Sequence, residues 1–301
     1  MIFRLIRKIL RPFEKLSNSL GKRARMIYYK FRAKAAPPRA RAKKNRHLEI
    51  EVVTMMYNEA ILAPLFVRHY APWADKLTVF YSESTDDTSR QLEKTAAECN
   101  VKSLMIVPFE FPNGFDDKLK IKCINQTVRK SSADFVVCVD ADEFVYPWPF
   151  AGADPRRELA KETGNVVRCN MFNVYRHSTD KDIDPQQPPL FQRRHGLQDV
   201  SREGQTQLHD KPCIVRPDCW PEFELGCHRV RVPYPKWSTN VWRGAHWGKA
   251  DAFCLQRYLR DRRDRLSKTN RHYGFGKEHS MATAEQIRAE LKAHENDPQL
   301  F

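Results

Sequence analysis

From residue 48 onward, short runs rich in β-branched and aromatic residues alternate with stretches of helical periodicity, and this alternation constrains the fold more than any other feature. It predicts an α/β domain in which a largely parallel sheet is covered by helices. Strands are predicted at residues 49–56, 76–81, 102–108 and 135–139, and helices at residues 60–70, 87–99 and 116–130.

Beyond residue 150 the pattern is less regular. It predicts strands at residues 165–175 and 211–216, a Pro- and Gln-rich loop around 184–190, and helices at 251–266 and 284–294. We therefore divide the chain into an N-terminal arm with a linker, one domain and a helical C-terminal tail, at residues 1–46, 47–265 and 266–301.

The net charge of +15 lies in the N-terminal arm. Residues 1–46 hold 16 Lys and Arg and a single acid, Glu14, whereas the remaining 36 basic and 36 acidic residues balance. A balanced body is typical of an ordinary globular domain. Nucleic acid is therefore an unlikely partner, although Tyr28, Tyr29 and Phe31 are interleaved with basic residues in the arm.

The start of the arm has the pattern of a cationic amphipathic helix, with Arg and Lys on the face opposite an apolar stripe. The stripe comprises Ile2, Phe3, Leu5, Ile6, Ile9, Leu10, Phe13 and Leu16. Such a helix can lie in the headgroup layer of an anionic membrane. We expect peripheral attachment to the inner face of the membrane; the alternatives are a solvated tail and a helix packed on the protein's own body.

The cysteines and the hydropathy indicate a cytoplasmic protein. Eight cysteines form no C-x-x-C pair, and several lie in apolar runs, as expected of reduced, buried thiols. No stretch approaches the roughly 20 apolar residues of a spanning helix, and the arm has the pattern of neither a signal peptide nor an anchor.

The chain becomes polar directly after three of the predicted strands. Residues 57–59 follow the first, 82–88 the second, and Asp140 and Asp142 the fourth. Ligands of open α/β sheets bind beyond the carboxyl ends of the strands, so these residues should line one crevice.

Asp140 and Asp142 come at the end of the apolar run 135–139, a spacing that suits a hard divalent cation such as Mg²⁺ or Mn²⁺. Such a cation takes one or two carboxylates and the phosphate oxygens of a substrate, and it offsets the charge that develops on a diphosphate leaving group. The alternative is structural, because acids also cap helices and stabilise turns.

Three motifs occur in order along this part of the chain: Met55-Met56-Tyr57-Asn58-Glu59-Ala60, Ser84-Thr85-Asp86-Asp87-Thr88 and Val139-Asp140-Ala141-Asp142-Glu143-Phe144. Together they resemble a bacterial family 2-like glycosyltransferase with the GT-A fold, over about residues 48–260. The resemblance implies that residues 47–145 form a nucleotide-sugar half and residues 146–265 an acceptor half.

The resemblance also implies roles for individual residues. Asp142 would ligate Mn²⁺ or Mg²⁺, Asp140 would lie near the metal or the donor ribose, and Glu143 is a further candidate catalytic residue. The implied donor pocket comprises Asn58, Glu59, Ser82, Ser84 and Asp86. A UDP-sugar is the expected donor, although Ser82 and Glu83 depart from the acid with which many members read the base.

Downstream, the segments 211–217, 226–228 and 244–247 resemble the C-terminal half of the same group. His228 is the first candidate for a late metal-ligating histidine and His246 the second. Lys211 and Arg216 are candidates for contacting the diphosphate. The close spacing of His209, Cys213, Cys219, Cys227 and His228 raises structural zinc as a rival, but it matches no standard zinc motif.

An inverting enzyme of this kind needs a general base, for which Asp210, Glu222 and Glu224 are candidates. Trp220, Trp237, Trp242 and Trp247 are candidate sugar platforms. The sequence thus predicts sugar transfer to a polysaccharide, lipopolysaccharide or lipid-linked acceptor. The alternatives are a nucleotidyltransferase-type enzyme, which lacks support from a Gly-rich phosphate loop, and a non-catalytic, membrane-associated binding protein on a GT-A scaffold.

Overall fold

A computed structural model provides the structure, and it describes residues 27, 47–150, 152–198, 210–253, 257, 265–274 and 283–301. The predicted fold class, α/β with a mostly parallel central sheet flanked by helices, is confirmed. The strands are β1 Ile50–Met56, β2 Lys76–Tyr81, β3 Leu104–Pro108, β4 Phe135–Cys138, β5 Glu143–Pro147, β6 Val166–Tyr175, β7 His195–Gln198, β8 Lys211–Val215, β9 Glu222–Phe223, β10 Val230–Arg231 and β11 Trp242–His246. The helices are α1 Leu62–Tyr70, α2 Thr88–Glu98, α3 Asp117–Lys130, α4 Pro155–Lys161, α5 Lys268–Tyr273 and α6 Ala284–Ala293.

The main sheet has nine strands in the order β3-β2-β1-β4-β8-β6-β11-β5, with β7 paired to β6. Strands β3, β2, β1 and β4 are mutually parallel. Strand β8 runs antiparallel to both β4 and β6, so β6 and its parallel neighbour β11 point the same way as β1. The carboxyl ends of six strands therefore share one edge, which we call the carboxyl edge; the opposite edge is the amino edge.

The core forms on both faces of this sheet because its central strands are buried on both faces. Strand β4 is entirely buried, and the only residue of β1 that is not is Met55. Each face of the sheet carries one hydrophobic cluster. Helix α1 contributes Phe66 and Tyr70 to the larger cluster, and α3 contributes Ile124 and Val128 to the cluster on the other face. Such two-sided burial explains why β4 has no alternation of polar and apolar residues.

Local sequence signals predicted most helix and strand boundaries to within two residues of those in the structure. Helix α3 begins after Asp116, whose side chain accepts hydrogen bonds from the backbone N–H groups of Lys118 and Leu119. Asp154 caps α4 in the same way, with Pro155 at the first turn. The predicted loop around 184–190 is confirmed, and it ends in a 3₁₀ turn at Pro189–Phe191.

The helix predicted at 251–266 is wrong at its described ends. Residues 251–253 form a bend and turn, and Leu266 forms an isolated bridge with Phe115. Of its interior only Arg257 belongs to the described residues. Within the part of the chain that the structure describes, no helix is long and apolar enough to cross a membrane.

The predicted arm falls almost wholly outside the described residues, which include only Ile27 of it. The C-terminal segment 283–301 packs on the domain: His294 stacks on Tyr175 with ring centroids 4.1 Å apart, and the backbone N–H of Leu300 donates to the carbonyl of Arg194. The boundaries assigned to the arm, the domain and the tail stay a prediction.

Candidate active site

The loops that follow β1 and β2 are joined by Asn58. Its backbone takes a left-handed conformation, with φ of 52°, which turns the chain sharply at the end of β1. Its N–H donates to Ser84 Oγ at 3.0 Å, and its side-chain oxygen accepts from the N–H of Thr85 at 2.8 Å. Asn58 and Ser84, both predicted to bind the donor, thus build the loop geometry of the crevice.

Asp86 and Ser82 occupy the same pair of loops. The Asp86 carboxylate accepts from the backbone N–H groups of Ala60 and Thr88 at 3.1 and 3.0 Å, so it fixes the turn that begins α2. Ser82 Oγ accepts from Arg265 at 3.1 Å, and the Arg265 guanidinium lies 3.2 Å from the centre of the Tyr57 ring. These contacts place Arg265 on the same loops.

Asp140 is paired with two buried lysines. Lys120, from α3, contacts one carboxylate oxygen, and Lys211, from the start of β8, lies 3.2 Å from the other and also contacts Glu143. Glu143 in turn accepts from the backbone N–H of Asp140 at 2.9 Å. Burial alone would raise the pKa of Asp140, but the charges of Lys120 and Lys211 outweigh it and hold that pKa well below its usual range.

Asp142 is 1% exposed and forms a second charge cluster. Its Oδ2 lies 3.0 Å from the guanidinium of Arg257, which also lies 2.8 Å from Glu59 Oε1. The same Oδ2 lies 3.6 Å from His246 Nε2, at the carboxyl end of β11. The backbone N–H of Trp247 donates to the Asp142 carbonyl at 2.7 Å, which holds β11 against the motif.

His246 is oriented toward Asp142 by Asn173 on β6. The two rest side by side in the parallel ladder, and His246 Nδ1 lies 2.7 Å from Asn173 Oδ1. An amide oxygen only accepts, so Nδ1 carries the proton and Nε2 is the ring nitrogen directed toward Asp142. Gly248 allows this approach, because a Cβ there would lie 2.9 Å from Nε2.

The carboxylate of Asp142 and the imidazole of His246 fit a divalent cation, since both are acceptable ligands of Mn²⁺ or Mg²⁺. Among the described residues, no three His, Cys, Asp or Glu side chains are grouped to hold a metal. The remaining ligands would thus come from substrate phosphate and water, as is usual for Mg²⁺.

His228 lies on a groove, and Arg216 lies at the amino end of β4. His228 is exposed and lines a groove with Lys118, Phe223 and Leu225. Arg216 hydrogen-bonds the carbonyls of residues 162 and 164 and stacks on Phe135, at the amino end of β4. The structure therefore does not bring Arg216 to the acid cluster.

Burial separates the usable from the unusable residues among the candidates for zinc binding, sugar stacking and general-base catalysis. Burial raises the pKa of Cys227 to about 12, so that thiol is not a ready ligand. Trp242 and Trp247 are 1% and 0% exposed and cannot stack on a sugar, whereas Trp237 is exposed. Asp210, a candidate base, is buried at the start of β8, and burial raises the pKa of its carboxyl.

Four residues of the site were missed in the sequence: Lys120, Asn173, Arg257 and Arg265. Lys120 is 20 residues from Asp140, Asn173 is 73 from His246, and Arg257 is 115 from Asp142. No short motif contains such pairs. The one available signal was the mixture of Arg and Asp in residues 251–266, which we interpreted only as part of a predicted helix.

No protein-family model matches the chain, and no curated protein matches it. It is partly similar to a mannosyltransferase from Pyrobaculum calidifontis in complex with GDP-Man and Mn²⁺, at 23% identity over 48% of this chain and 42% of that one, with a TM-score of 0.32. A glucosyl-3-phosphoglycerate synthase from Mycobacterium tuberculosis, in complex with Mn²⁺, UDP and phosphoglyceric acid, gives 20% identity over 42% and 43%, with a TM-score of 0.29. The chain spans less than half the length of each, and likenesses of this extent carry no argument about its activity.

Proposed function

We propose that the chain is a metal-dependent glycosyltransferase of the GT-A type that takes its sugar from a nucleotide-sugar donor. The observation that carries the proposal is the pairing of Asp142 with the oriented His246 at the carboxyl edge, next to the loops joined by Asn58. A pyrophosphate and its cation suit this combination of carboxylate, imidazole and polar loops.

In this proposal, the loops after β1 and β2 bind the nucleoside, with Asn58, Ser82 and Ser84 shaping the pocket. Asp142 and His246 would hold Mn²⁺ or Mg²⁺, which when bound offsets the charge of the departing diphosphate. The ion pairs that Lys120 and Lys211 make with Asp140 keep that carboxylate ionised and in place beside the pocket. Asp210 is the candidate that would accept the proton of the acceptor hydroxyl, because burial raises its pKa toward the value a general base needs.

The acceptor in this proposal is a surface polysaccharide, a lipopolysaccharide or a lipid-linked glycan, and the basic arm binds the anionic inner face of the membrane. The arm supports this part because it contains 16 basic residues and one acid. Deleting residues 1–45 should remove both membrane association and activity on a lipid-linked acceptor. Retention of both would contradict this part of the proposal.

The donor site can be tested by isothermal titration with a panel of nucleoside diphosphates, with and without Mn²⁺. Wild type should bind one nucleotide in a metal-dependent manner, and Asp142→Asn should lose that binding. Asp87→Asn is the matched control, because Asp87 lies at the same carboxyl edge, on the loop after β2, but is exposed and pairs with Arg90. Absence of binding by folded wild-type protein would favour a non-catalytic scaffold, and metal-dependent binding that survives in Asp142→Asn would refute the site.

A further inference from the structure

Exposed large apolar side chains gather at one place on the domain, where the segment 234–241 crosses the start of β6. Tyr234 is 50% exposed, Trp237 42% and Val241 49%, and Trp148 beside them is 36% exposed. Four of the nine exposed large hydrophobics among the described residues thus belong to this surface, which we call the aromatic patch. Single exposed apolar residues are ordinary, but a contiguous group marks an interaction site.

Hydrogen bonds hold both ends of the patch on the sheet. The N–H of Trp148 donates to the carbonyl of Val241 at 2.9 Å, and Asn165 contacts both the carbonyl of Tyr234 at 2.8 Å and that of Lys236 at 2.7 Å. The patch is therefore part of the rigid sheet edge.

Cations accompany each tryptophan of the patch. The Arg243 guanidinium lies 3.5 Å from the centre of the Trp148 ring, and that of Arg168 lies 4.7 Å from the Trp237 ring. Lys236 is exposed between Tyr234 and Trp237. Amphipathic aromatic rings beside Lys and Arg are the combination that lies at the level of lipid headgroups.

The basic arm joins the domain at the same edge. The arm ends at residue 46, and the next residue, His47, lies three residues before β1. Arg156 contacts both His47 and the carbonyl of Trp73. The Trp73 ring packs on Trp242, which directly follows Val241 of the patch. The root of the arm and the patch are thus linked by packed residues along the amino edge.

We propose that the aromatic patch lies against an anionic lipid bilayer and, together with the arm, orients the domain with its carboxyl edge toward the aqueous phase. This inference rests on the membrane association included in the proposed function. Strand β11 runs from Trp242 at the patch to His246 at the site, so the candidate site is about 13 Å farther from the bilayer than the patch. The acceptor hydroxyl reaches the site from the water side, which favours a glycan that extends from the membrane over an acceptor group at the headgroup level.

The test uses the full-length chain and vesicles of phosphatidylglycerol and phosphatidylcholine, with binding measured by co-sedimentation. Trp148→Ser/Trp237→Ser should lower the partition coefficient about tenfold, which corresponds to about 1.4 kcal/mol. Ile61→Ser is the matched control, because Ile61 is 45% exposed but lies at the carboxyl edge, where its loss should leave partitioning unchanged.

A second measurement does not depend on the folding of the double variant. Vesicles with brominated acyl chains should quench part of the wild-type tryptophan fluorescence, and Trp237→Phe should reduce the quenched fraction. Vesicle binding that is equal in wild type and the folded double variant, with no quenching assigned to Trp237, would overturn the orientation while leaving membrane association intact. No vesicle binding by wild type would overturn both, and a dimer that the double variant abolishes would assign the patch to a second copy of the chain.

Discussion

Replacing Arg257 by glutamine should raise the affinity of the nucleotide-free protein for Mn²⁺. The Arg257 guanidinium lies 3.0 Å from Asp142 Oδ2 and 2.8 Å from Glu59 Oε1, and both Arg257 and Asp142 are buried. A cation that binds Asp142 must therefore displace this guanidinium first. If the proposed metal site is correct, Arg257 competes with the metal for Asp142.

The size of the effect follows from the contact. At 3.0 Å and an effective dielectric constant of about 20, the Coulomb attraction is roughly 5.5 kcal/mol. Solvation of the displaced guanidinium recovers most of it, and hydrogen bonds to charged groups contribute a net of about 1.5–3 kcal/mol. Removing the competitor should therefore lower the Kd for Mn²⁺ roughly 10- to 100-fold.

Isothermal titration with Mn²⁺ alone measures this difference on wild type and Arg257→Gln, with circular dichroism to confirm that both are folded. Arg216→Gln is the matched control, since Arg216 contacts the amino end of β4 and should leave the Kd unchanged. An unchanged or weaker affinity in folded Arg257→Gln would show that Arg257 does not compete with the cation, and the reasoning would be refuted.

Three further predictions concern positioning and stability. Asn173→Ala should weaken Mn²⁺ binding by about 10- to 100-fold in the same titration, because His246 loses the partner that orients it; a change below about threefold would contradict this role. His69 has a pKa lowered by burial from 6.5 to about 4, so its contribution to the free energy of unfolding is complete above pH 6.5 and is lost as the pH falls toward 4. Urea unfolding should show a loss of about 3 kcal/mol across that window, and an equal loss in His69→Gln would assign it to other groups. Trp242→Ala should destabilise the domain by about 3–5 kcal/mol in the same assay, since Trp242 is 1% exposed. A loss below about 1 kcal/mol would show that neighbouring side chains move in and fill the space left by the indole ring.

The strands and helices of the first half were predictable because their signals are local. Strand β2 has the predicted bounds, and α3 starts one residue after the predicted position because Asp116 serves as its N-cap. The convergence of Asn58 with residues 84 and 85 also followed from sequence, since carboxyl ends of parallel strands meet at one edge.

The choice between the two histidines could not be made from sequence. Both His228 and His246 follow a nearby glycine, and both occur in short motifs of the second half. What distinguishes them is register: His246 is opposite Glu143 in one ladder and Asn173 in the other, which brings its ring to Asp142. Register across β5, β11 and β6 depends on pairings between residues 73 to 103 positions apart, which periodicity does not encode.

The four acids of the site divide into two electrostatically different halves. Asp140, whose side chain is 33% exposed, and the buried Glu143 are matched by two buried lysines, Lys120 and Lys211. Burial would lower the pKa of Lys120, but the Asp140 charge outweighs it and raises that pKa, so the lysine stays charged.

A cation added beside Asp140 and Glu143 would therefore be repelled by the charged Lys120 and Lys211. Asp142 and Glu59 form the second half, where two carboxylates share the guanidinium of Arg257. Replacement of that single guanidinium by a divalent ion adds one positive charge to a half with an excess of negative charge. In the proposed function, the charge balance thus favours Asp142 over Asp140 as the ligand of an exchangeable cation, and Asp140 is held by its two lysines.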